Sequence, residues 1–120
     1  MESILNSVKQ LLGIDESENH FDLDIIIHIN SVFSILNQMG VGPKETYSII
    51  DDTSNWSEFT DDAAIFNNVK TYMYLKVRLA FDPPTNSNVL SSMERQISEL
   101  EWRLTVSASN KAMEENENGE

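Results

Sequence analysis

Cysteine is absent from this 120-residue chain, which excludes disulfides and thiolate metal sites. Glycine and proline are few, four and three, and the glycines mostly read as turns and helix stops. No apolar run approaches the ~18 residues that span a bilayer. Met1–Lys9 has no basic segment feeding a long apolar stretch, so no secretory signal is expected. Basic residues are also scarce: eight stand against 20 acidic ones, a net charge of −12. A face that grips phosphate needs clustered Lys and Arg, and here they are scattered. The acidic balance reads as a solvated surface or, more sharply, as one that keeps DNA at a distance. What is present is enough apolar residue for one domain with a real core, expected to be soluble and made or assembled inside a cell.

Apolar periodicity predicts four helices. Ile4, Leu5, Val8, Leu11 and Leu12 set the first, over 2–12, with Gly13 beyond its end. The second runs from about Phe21 to Met39, with Phe21, Ile25, Ile29, Val32, Phe33 and Leu36 on one face and Gly40 closing it. Leu23 and Ile27 sit off that face and give it a second apolar side. Residues 41–59 break the pattern and form an irregular loop, with Tyr47–Ile50 a possible short strand or hairpin. Trp56 and Phe59 are expected to pin this loop to the helices. Thr60-Asp61-Asp62 begins a third helix that must stop at Pro83-Pro84, where two backbone donors are lost. The fourth restarts from Asn86, Ser87 and Asn88. Its Leu90, Met93, Ile97, Leu100 and Leu104 follow the three–four spacing of helix-on-helix packing. Residues 106–120 turn polar and acidic and are expected to be a disordered tail. The reading is all-α, a four-helix bundle-like domain over 1–105 followed by that tail.

Residues suited to chemistry are thin. His20, Asp24 and His28 form a polar row along one helix, but three positions over two turns span about 12 Å and cannot all reach one ion. Asp51-Asp52 and Asp61-Asp62 are adjacent pairs, and neighbours in sequence do not face one another on a helix. No phosphate-cradling glycine loop or nucleophile elbow is present. Neither a catalytic set nor a metal or other cofactor is expected. Two off-pattern residues stand out instead. Lys76 falls inside the apolar arc of the third helix and needs a partner, Glu94 or Glu101, unless it snorkels past the core edge. Trp102 lies off the Leu90–Leu104 stripe near Arg95, either covered by another part of the fold or free as an interface anchor. Arg78 and Asp82, four residues apart, are placed to tie down a helix end.

Several segments carry a resemblance. They are Val8-Lys9-Gln10-Leu11-Leu12-Gly13-Ile14, Ile29-Asn30-Ser31-Val32-Phe33 and Gln38-Met39-Gly40-Val41-Gly42-Pro43. Val69-Lys70-Thr71-Tyr72, Phe81-Asp82-Pro83-Pro84 and Glu99-Leu100-Glu101-Trp102-Arg103-Leu104 complete the set. In this order, over about residues 4–105, they resemble the head–tail connector (adaptor) proteins of long-tailed bacteriophages. The resemblance implies a structural virion protein and not an enzyme, localised in the head–tail neck and in the host cytoplasm during assembly. It implies a ring of about twelve copies docked beneath the portal protein. That ring extends the DNA channel without binding DNA specifically, and it offers a platform to the next neck or tail-completion protein. No membrane is involved. On this reading Leu23, Ile27, Tyr74, Arg95 and Trp102 are candidate subunit contacts. Val106, Lys111 and Met113 are candidate portal contacts, and Lys44, Glu45, Asp51 and Asp52 face the lumen or the next ring. The rival readings are an acidic DNA mimic or regulator that binds a basic host protein, and a small enzyme built on the His20–Asp24–His28 row.

Overall fold

A computed structural model describes residues 2–118 and shows five helices: α1 (Ile4–Leu11), α2 (Asp22–Gln38), α3 (Trp56–Phe59), α4 (Ala63–Phe81) and α5 (Ser87–Asn118). The all-α expectation holds. α4 is the central element: α2 and α5 both pack extensively on it, and α1 closes the end formed by α2 and α4. One continuous core results. Val69, Tyr72, Met73, Leu75 and Val77 of α4 meet Ile25, Ile29, Val32, Phe33 and Leu36 of α2 and the Met93–Ile97–Leu100–Leu104 stripe of α5. Burying a side chain of this size contributes about 1.5–3 kcal/mol.

Helix ends follow local chemistry. Ser3 caps α1, its Oγ accepting from Asn6 N–H at 3.3 Å. Gly13 and Gly40 take positive φ (80° and 82°) just past α1 and α2, a backbone conformation that strains any residue with a side chain. The cap of α4 is Asp62, whose Oδ1 accepts from Ala64 N–H at 2.9 Å. Thr60 lies two residues before that cap, and its hydroxyl accepts from Asp62 N–H. Asn86 Oδ1 accepts from the N–H groups of Asn88 and Val89 and starts α5.

The 41–59 segment differs from its expectation. Among the described residues it forms no strand or hairpin; its one β contact is an isolated bridge between Ser3 and Asn55. The Asn30 side chain supplies what a strand neighbour would have given. Its Nδ2–H donates to Ile49 O at 2.9 Å and its Oδ1 accepts from Ile49 N–H at 2.8 Å. The segment then makes the short helix α3, held by Glu58 accepting from Asn55 N–H at 3.1 Å. Trp56 and Phe59 pin it down as expected, both buried and edge-on or tilted against Phe33. Gly42, at φ 90°, passes so close to the Phe59 ring that an added Cβ would lie 2.4 Å from it. The turn therefore needs glycine for both backbone and space.

Residues 106–118, expected as a disordered tail, continue α5 without a break. Val106 to Asn118 holds no glycine or proline, and its Ala, Lys, Met and Glu favour helix. Residues 109–116 are nonetheless exposed on every side, so the helix projects beyond the core. Gly119 and Glu120, the end of the expected tail, lie outside the described residues.

Candidate functional site

Polar groups inside the bundle serve structure. The buried lysine is Lys9, only 1% exposed, whereas Lys76 is half-buried. Lys9 Nζ donates to the carbonyls of Glu16 and Glu18 at 3.0 and 2.7 Å and lies 2.9 Å from Asp22 Oδ1. It thereby clamps the acidic link after α1 onto the first turn of α2. Its only sequence signal is a place at the margin of the α1 apolar arc, while Leu11 at the opposite margin is exposed.

The expected ion pair of Lys76 with Glu94 or Glu101 is not formed. Lys76 lies toward α2, beside His28, Ser31, Val32, Ile35, Leu79 and Ala80, while both glutamates belong to α5. Glu94 is exposed, and Glu101 accepts from the Tyr72 hydroxyl at 2.8 Å. Arg78 likewise turns from Asp82: its Nη1 donates to Tyr74 Oη at 2.8 Å. Burial, reinforced by the Glu101 carboxylate, raises the Tyr72 phenol above its ordinary value. The folded state thus holds that proton more tightly than the unfolded chain. Its contribution to stability is complete below about pH 10 and declines as pH rises further toward the folded value. Alkaline denaturation series should show this decline in the parent and a flatter profile in Tyr72→Phe. Equal slopes would remove Tyr72 as the cause.

No group of three His, Asp or Glu side chains among the described residues is close enough to hold a metal ion. Nor is any described helix long and apolar enough to cross a membrane. The features left over are surfaces. Leu23 (76% exposed), Ile27 (64%) and Ile50 (84%) are open along the outer side of α2, Ile50 because the Asn30 clamp holds its neighbour there. Trp102 (67%) points away from α4, from the face of α5 opposite its core stripe, with exposed Arg95, Val106 and Met113 on the same side. Tyr74 is half-buried and engaged by Arg78. Lys44, Glu45, Asp51 and Asp52 are all exposed. The Thr53 hydroxyl and N–H hold the Asp51 carboxyl below the usual carboxylate range, so it stays charged. Lys111 borders a groove with Gly40, Pro43, Asp61, Ile65 and Ala108, beneath the projecting end of α5.

Between α2 and α4 lie two adjoining grooves that share His28 and Ala80. One, of about 330 Å³, is lined by Val32, Ile35, Lys76 and Leu79. The other, of about 520 Å³, is lined by Leu12, Ile14, Phe21, Asp24, Phe81 and Asp82. Sequence reasoning missed both, because a groove between helices belongs to their crossing and not to either pattern.

A small helical subunit with unpartnered apolar surfaces is the profile of an assembly component. The model of the phage connector protein family matches residues 4–111, nearly the whole described chain, and the chain belongs to that family. Its role is that of a structural head–tail connector and virion component, and the family implies association with portal and tail proteins. No significant match to a curated protein or to a solved structure was found.

Proposed function

We propose that this chain docks as a ring of about twelve copies beneath the portal, extends the DNA channel and carries the next neck or tail component. Membership of the connector family over residues 4–111 carries this reading. Three features support it. Apolar residues exposed on α2 and α5 suit side-by-side contacts between copies, with Leu23, Ile27, Tyr74, Arg95 and Trp102 at the subunit boundary. The net charge of −12 suits a wall past which DNA slides without adhering. The 41–59 loop, through its exposed Lys44, Glu45, Asp51 and Asp52, is assigned to the lumen or the next ring.

The projecting end of α5 is assigned to the portal, through Val106, Lys111 and Met113. Because the core stripe ends at Leu104, deleting 106–120 should leave the thermal transition within a few degrees of the parent. Co-purification with the portal protein should fall at least tenfold. Unchanged portal capture by a folded truncated chain would overturn the portal assignment. Absence of portal binding by the full chain would overturn the docked-ring reading itself.

A further inference from the structure

The two α2/α4 grooves run end to end, and their charges differ. Asp24 and Asp82 edge the groove nearer the start of α2, Lys76 edges the other, and His28 stands where the two meet. On α4, Lys76 and Asp82 are six residues apart, about 9 Å along the helix. The outward stripe of α5 has a matching layout. Arg95 and Trp102 share one face and are seven residues, two turns or about 10 Å, apart, with Glu99 one turn before Trp102. Trp102 points away from its own α4, so within one copy the stripe and the grooves cannot meet.

We infer that the grooves of one copy receive the outward face of α5 from a second copy, with that α5 parallel to α2. This rests on the ring reading and specifies its contact. Arg95 sits at the Asp24–Asp82 end. Trp102 fills the groove between Val32, Ile35 and Leu79, where the Lys76 ammonium lies beside the indole and near Glu99. The opposite register places Arg95 against Lys76 and Trp102 between two carboxylates, so charge selects one direction. A large aromatic seated in an apolar groove and rimmed by charge is the usual form of an interface anchor. Because stripe and groove are different surfaces, the contact is head-to-tail and each copy has both halves free to continue it. Such contacts close into rings when the rotation between copies permits.

The absence of cysteine gives a clean test. Ser98, one turn before Trp102, and Ser31, on the groove rim, are both exposed. Full-length chains carrying Ser98→Cys, Ser31→Cys or both are assembled with portal protein and treated with a short bifunctional maleimide. The expected result is a covalent ladder of three or more copies that needs both substitutions. Adding Trp102→Ala to the double variant should reduce the ladder at least tenfold while the monomer keeps its helical circular dichroism. Dimers formed by Ser98→Cys alone would show α5 against α5 and overturn the pairing. A portal-bound ring without the ladder would overturn the pairing and leave the ring reading standing. If the parent forms no ring, that reading fails first and the pairing with it.

Discussion

Trp56→Ala is expected to destabilise the fold by about 3–5 kcal/mol, the usual cost of removing a large buried aromatic. Small domains have only about 5–15 kcal/mol of stability in total. Trp56 has no exposed surface, packs edge-on against Phe33 and Phe66, and donates its Nε1–H to Ser7 Oγ at 2.8 Å. Ser7 is itself buried, and its hydroxyl donates onward to Ile4 O at 3.0 Å. Truncation therefore leaves a cavity where α1, α2, α3 and α4 meet, and a buried oxygen with one acceptor position empty. Thermal melts followed by circular dichroism should show the midpoint about 10–20 °C lower. A shift below a few degrees would mean that α3 is not fixed in the core as described. Trp56→Phe should recover part of the loss, since it restores packing but not the donor.

Lys9→Ala is the second large effect, expected at about 2–4 kcal/mol. Breaking a buried pair commonly costs about 3–5 kcal/mol because one charge is left uncompensated. Here Asp22 is 26% exposed, so water screens part of that penalty and the lower figure is appropriate. The carbonyls of Glu16 and Glu18 lose their donor as well, and the link between α1 and α2 loses its anchor. Lys9→Met keeps the buried stem and should cost less than Lys9→Ala. Urea midpoints, with limited proteolysis across residues 15–20, check both effects. Parent-like stability of Lys9→Ala with no new cleavage would overturn the clamp. Added salt should change the parent little, because a buried pair is weakly screened.

Portal docking and the groove pairing concern different surfaces of one subunit. The projecting end of α5 is assigned to the portal, and the Arg95–Trp102 stretch of the same helix to the neighbouring copy. A variant that loses ring contacts but keeps portal affinity would separate the two. Trp102→Ala is the natural choice, because Trp102 belongs to the exposed face and the core does not depend on it.

Periodicity alone determined much of this molecule. The α2 and α4 core faces and the Met93–Leu104 stripe of α5 follow from apolar spacing, because burial of one helical face recurs every three or four residues. The stops at Gly13, Gly40 and Pro83-Pro84 follow from backbone sterics that act locally. That Leu23, Ile27 and Trp102 lie off the core faces was likewise legible, but only the structure decided that Trp102 is uncovered. Tertiary structure decided the rest. Helical phase placed Lys76 in an apolar arc but did not say which neighbour lined that side, and it turned out to be α2. Lys9 is buried because the 15–20 link folds back over it, which no α1 pattern encodes. Ile49 bonds through both its backbone groups to the Asn30 side chain, 19 residues away, so the strand-like composition of 47–50 needed no strand. Past residue 105, composition measured how little could be buried, and the backbone stayed helical because hydrogen bonding within a helix needs no partner element. Spacing along one helix is a local property, and the grooves, clamps and partners arise only where two helices cross.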